Sequence, residues 1–148
     1  LKKVRYVNAM WTKIYALSSI NGTPIYDSRV AAAMATLSFL HDQTNQNPLI
    51  NFPVPTARGT KKAPNRRKQY ENGGIIFKFN SLSATDDGDP AWTNANLRLS
   101  WMMEVVLERT SLFELEGDLN ARKHALEASL FMIGYEPNNI LVKNLERN

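Results

Sequence analysis

Hydrophobic positions between Lys3 and Leu17 recur every three or four residues. Val4, Val7, Trp11, Ile14 and Leu17 form one stripe, the pattern of an amphipathic helix. Ser18, Ser19, Asn21, Gly22 and Pro24 then interrupt it with turn and cap residues. A second helix is expected from Asp27 or Ser28 to about His41. Val30, Met34 and Leu37 share a face there, and Ala31, Ala32, Ala33 and Ala35 combine high helix propensity with room for close packing. From Asp42 to about Glu71 the periodicity dissolves among Asn45, Asn47, Pro48, Pro53, Pro55, Gly59, Pro64 and Asn65. So long a loop in a compact domain is usually functional or disordered. Ile75, Ile76, Phe77 and Phe79 form a short apolar run, either a strand with no convincing partner or a buried loop segment.

After a turn-rich stretch from Ser81 to Pro90, a long helix is expected from about Ala91 to Arg109. Leu97, Trp101 and Val105 lie along one edge of it, with Met102 and Val106 beside them. A further helix runs from Asp118, its N-cap, to Ile133, with Leu119, Leu126, Leu130 and Ile133 facing inward. Gly134 stands at its C-terminal end and Pro137 prevents continuation. Asn138 to Asn148 is read as a short terminal helix. The expectation is a mainly α, single-domain bundle of four to five helices, with a long basic loop and at most a minor strand.

Composition narrows the possible partners. The 148 residues suffice for a sizeable core, and no apolar run approaches the roughly 20 residues of a membrane span. No leader of the secretory type is evident, and a cytoplasmic location is expected. The absence of cysteine removes disulfides, zinc-thiolate sites and thiol catalysis. A net charge of +4 favours an anionic partner, DNA being the one expected. Within the eleven positions from Arg58 to Lys68 stand six cations: Arg58, Lys61, Lys62, Arg66, Arg67 and Lys68. Such a cluster suits phosphate contacts with salt-sensitive affinity, and equally a solvated surface loop.

The chemically suggestive segment is Pro24-Ile25-Tyr26-Asp27-Ser28-Arg29-Val30. Asp27 opens a helix, where a carboxylate caps free N–H groups and can also act as a base or steady a developing cation. Arg29 opposes the helix dipole, a conflict that a phosphate or a nearby carboxylate would resolve. Asp86, Asp87 and Asp89 around Gly88 read as a polar turn, because the terminal glutamate of a calcium loop is missing. The helical spacing of Trp11 and Trp101 favours core packing, whereas Trp92 sits at a helix start beside a loop and is the better stacking candidate. No Walker loop, dinucleotide fingerprint or serine elbow is present, and neither a cofactor nor a metal is implied.

This segment, with Trp11-Thr12-Lys13-Ile14-Tyr15-Ala16-Leu17 before it, resembles the core of the helix-hairpin-helix DNA glycosylase superfamily. It is most similar to the divergent 8-oxoguanine glycosylase-like proteins. Trp92, Asn96, Leu97, Ser100, Trp101 and Met102 resemble a later helix of the same group. The resemblance implies a DNA-repair function in which Asp27 assists displacement of a damaged base and Lys13 forms a Schiff base with the sugar. It further implies DNA contacts from Arg29 and the basic loop, and a base pocket at Tyr26 and Trp92. The glycine-containing hairpin of the family is replaced by Val7-Asn8-Ala9-Met10-Trp11-Thr12, and the interval from Lys13 to Asp27 is short. Residues 1–148 are therefore expected to be one helical domain, a fragment or reduced form of a glycosylase-like domain. Two other functions are expected alternatives: a non-enzymatic domain binding nucleic acid or protein, and a small-molecule pocket at Tyr15, Tyr26 and Trp101.

Overall fold

The computed structural model describes residues 9–45, 52–55, 70–72, 75–77, 81–82, 90–135, 137 and 140. It is mainly helical: α1 (Ala9–Ser18), α2 (Ser28–Asn45), α3 (Pro90–Arg109) and α4 (Leu119–Ile133), with a short 3₁₀ turn at Glu114–Glu116. Strand β1 (Val54–Pro55) pairs in parallel with β4 (Ser81–Leu82), and β2 (Tyr70–Asn72) runs antiparallel to β3 (Ile75–Phe77). The apolar run at Ile75 thus does have a partner, in a stretch expected to be irregular. Tyr70-Glu71-Asn72 carries no alternation of apolar and polar residues that would mark a strand. The basic loop from Arg58 to Lys68, the acidic turn at Asp86, and all of the terminal segment except Ile140 lie outside the described residues.

Helix α2 is the centre of the core. Val30, Ala31, Ala32, Ala33 and Met34 are all buried, so its first half is covered on every side, and alanine lets the neighbours approach closely. Phe52 and Val54 pack on this half, while α4 lies along α2 and contributes Leu130. The proline that opens α3 suits the first helical turn, where its missing N–H costs nothing. Asp118 caps α4 as expected, accepting from the Ala121 N–H at 2.9 Å. Arg122 reaches back from α4 to three carbonyls at the end of α3, those of Leu107, Thr110 and Leu112. That contact satisfies acceptors the helix itself cannot and fixes the turn between α3 and α4.

Two expected faces are corrected. On α3 the buried positions are Trp92, Ala95, Asn96, Leu99, Met103 and Leu107, while Leu97 and Trp101 face solvent, Trp101 being 64% exposed. This helix is apolar on two sides, and the side that enters the core is the one spaced 92-95-99-103. On α1 the fully buried residue is Thr12, and Trp11, Ile14 and Leu17 are exposed. The core positions expected for Trp11 and Trp101 therefore belong to Trp92. Among the described residues no helix is long and apolar enough to cross a membrane.

Candidate functional site

The segment leading into α2 is held along its length by one face of α4. Asn120 Nδ2 donates to the Ile20 carbonyl at 2.9 Å, and Lys123 Nζ to the Asn21 carbonyl at 3.4 Å. The Ile25 backbone lies close enough to Glu127 to lower its proton affinity, and the Arg29 guanidinium lies over Phe131 and Tyr135, 4.3 and 5.0 Å from the ring centroids. The α4 residues follow at intervals of three or four and so share a face. Their partners advance along the loop in the same direction, which makes α4 a rail for residues 20–29. Gly22, at φ 64°, supplies the left-handed bend that starts this run.

A second tie comes from α1. The N–H of Tyr26 donates to the buried Thr12 hydroxyl at 3.2 Å, and that hydroxyl lies 3.0 Å from the Ala9 carbonyl and 3.3 Å from the Tyr26 carbonyl. Thr12 and Tyr26 are thereby locked together, and the residues that follow them are Lys13 and Asp27.

Asp27 is the N-cap of α2. Its Oδ1 accepts the N–H groups of Arg29 at 2.8 Å and Val30 at 3.0 Å, and its carbonyl accepts from Ala31 at 2.9 Å. Both capping bonds use Oδ1, so Oδ2 is not needed for the cap. Across from it stands Glu127, a residue that sequence reasoning missed. Burial pushes its carboxyl above the ordinary carboxylate range. The Ile25 N–H and His124, whose Nδ1 is 3.9 Å from Oε2, pull it back, and the charge of Asp27 pushes it up again. Two carboxylates therefore stand near enough at the α2 entrance for the charge of one to raise the proton affinity of the other. One is fixed by backbone donors and the other has a raised proton affinity.

The other expected site residues fall in different settings. Lys13 is exposed on α1, whereas the buried amine of the region is Lys123, paired with Glu104 at 3.3 Å. Arg29 is held over the faces of two aromatic rings, which draw the cation electrostatically. Tyr26 is fully buried, its hydroxyl donates to the Pro53 carbonyl at 2.8 Å, and burial pushes its phenol well above the ordinary range. Trp92 is 4% exposed and meets Tyr26 edge-on at 79°. These two rings form a core pair rather than an open base pocket, because each fills the space between the α2 entrance and α3. Arg58, Lys61, Lys62, Arg66, Arg67 and Lys68 lie outside the described residues. Among the described residues no three His, Asp or Glu side chains converge as a metal site requires.

Comparison of the chain with protein-family models, with characterised proteins and with solved structures finds no match in any of the three.

Proposed function

We propose that this chain is a DNA-binding, glycosylase-like protein that cleaves the N-glycosidic bond of a damaged or modified base. The observation that carries this reading is Asp27, a carboxylate held rigidly at a helix entrance with Oδ2 unused by the cap. The tie between Thr12 and Tyr26 supports it, since it sets Lys13 and Asp27 one residue beyond a shared hydrogen-bonded point. In the proposed reaction the bond from C1′ to the base breaks, and its electron pair leaves with the base, which takes up a proton. Asp27 steadies the sugar cation or activates the water that supplies the new C1′ hydroxyl. Lys13 adds strand cleavage where its amine attacks C1′ in place of water. The basic loop holds phosphate, and the base leaves the stack to reach the site.

The test is incubation with duplexes carrying oxidised or alkylated bases, followed by strand cleavage and borohydride trapping. Abasic product that falls at least about a hundredfold in Asp27→Asn is the expected result. No abasic product on any lesion would sink the catalytic reading. A second reading, a non-enzymatic binding domain, is favoured by one observation: Met10, Trp11, Ile14 and Tyr15 on α1, and Leu97 and Trp101 on α3, are large apolar side chains left exposed. Binding without turnover would select it.

A further inference from the structure

Between α1 and α3 lies a groove of about 400 Å³, lined by Tyr15, Ser18, Ser19, Thr23, Thr93, Asn96 and Leu97. Asp27, Arg29 and Glu127 are not part of it. Its volume falls within the range of sites that hold small ligands, and its walls carry no charged side chain. Asn96 is 9% exposed, and its Oδ1 finds no hydrogen-bond partner among the described residues, an unusual state for a buried amide. This oxygen is itself closed to solvent, so it meets an occupant of the groove only after the side chain turns.

The hydroxyls can be assigned from their bonds. Ser19 Oγ accepts from the N–H groups of Asn21 and Thr23, both at 3.2 Å, which fills its two lone pairs. In its 2.8 Å contact with Thr23 Oγ1, Ser19 is therefore the donor, and the Thr23 hydrogen remains for the groove. Ser18 Oγ donates to the Ile14 carbonyl at 2.8 Å and keeps its lone pairs as acceptors. One wall is the half-exposed ring of Tyr15, backed by Trp11 at 6.0 Å between centroids, and the facing wall is Leu97. A largely apolar groove with a donor, acceptors and an unpaired amide oxygen, and without charge, suits a neutral heterocycle with hydrogen-bonding edges.

We propose that the groove between α1 and α3 binds a nucleobase, stacked on Tyr15 and held at its edge by Asn96 and Thr23. Because the lining is uncharged, sugar and phosphate remain outside it. The base comes either from a free nucleoside or from an unpaired position in a strand, and the site does not depend on chemistry at Asp27. Leu97, on the exposed side of α3, is a wall of the groove.

The test is titration of the whole chain with adenosine, thymidine, a short single-stranded oligonucleotide and the corresponding duplex, followed by amide chemical shifts and tryptophan fluorescence. Saturable shifts at Ser18, Thr23 and Thr93 are expected, with Tyr15→Ala and Asn96→Leu each weakening binding about tenfold or more. Thr93→Val, a near-isosteric change at a half-buried position, provides a variant less prone to unfold and should weaken binding severalfold. Binding of the nucleosides identifies a nucleoside site, and binding of the oligonucleotide alone identifies an unpaired base in a strand; either supports the proposal. Absence of shifts in the groove with every probe, or unchanged affinity in folded Tyr15→Ala and Thr93→Val, overturns it.

Discussion

Gly134 meets Arg29 backbone to backbone: a β-carbon on residue 134 would overlap the Arg29 carbonyl oxygen. The backbone of Gly134 is right-handed, at φ −73°, so glycine is required here by the approach of the two chains and not by a special dihedral angle. That contact brings the end of α4 against the first turn of α2, where Phe131 and Tyr135 cover the Arg29 guanidinium. The expected outcome for Gly134→Ala is a loss of about 2–4 kcal/mol, from an overlap that only a backbone shift relieves. Urea unfolding measures it, and a change below about 0.5 kcal/mol would show that the two helices separate easily.

Asp27 serves the fold and the proposed chemistry through the same carboxylate, and two substitutions separate these roles. Asp27→Ala removes the acceptor for the N–H groups of Arg29 and Val30 and should cost about 1 kcal/mol. Asp27→Asn keeps a capping oxygen and should cost no more than a few tenths of that, because asparagine caps about as well as aspartate. Thermal unfolding of both variants beside their glycosylase assays gives the comparison. Equal loss of stability in the two would mean that the charge, not the acceptor, holds the entrance.

Glu127 makes stability depend on pH in a direction that follows from its surroundings. Its folded-state proton affinity is raised, chiefly by burial, with Asp27 adding to the effect. Between the ordinary value of 4.5 and the raised one, the native state binds more proton than the unfolded chain does. Stability from this group is therefore fully present below 4.5 and declines as pH rises through the raised value. Glu127→Gln keeps an acceptor for the Ile25 N–H and removes the titration. The difference in unfolding free energy between variant and wild type should move in favour of the variant as pH rises from 4 towards neutrality, roughly the carboxylate and histidine range. A difference that is flat with pH would contradict the burial of this carboxyl.

The ends of elements were more legible than their faces. Asp118 opens α4 through local cap chemistry, and Pro24 to Asp27 announces the α2 entrance in the same way, whereas Gly134 marks the end of α4 but owes its place to the Arg29 backbone. The inner face of α3 was not legible, because Leu97 and Trp101 are as apolar as Leu99 and Met103, and packing into the common core decides between them. For the same reason Trp92 and Trp101 exchanged their expected settings. Glu127 and Lys123 gave no signal, since their spacing on α4 acquires meaning only against Ile25 and Asn21, residues distant in the chain. The cap role of Asp27 was legible because it depends only on neighbours in the chain.

The basic loop makes the remaining prediction, and it concerns affinity alone. Six cations within the eleven positions from Arg58 to Lys68 would displace counterions from a bound strand. Each phosphate neutralised on duplex DNA contributes about 0.9 to the slope of log affinity against log salt. Replacing Lys61, Lys62, Arg66 and Arg67 together by alanine should thus flatten the slope by up to about 3.6, if every one of the four meets a phosphate. Fluorescence anisotropy across a salt series measures the slope directly. The groove between α1 and α3 has no charged lining, so Tyr15→Ala should lower affinity for a strand carrying an unpaired base while leaving the slope unchanged. A slope that does not respond to the fourfold variant would remove the loop from the DNA interface. A slope that responds to Tyr15→Ala would show that the two surfaces do not bind independently.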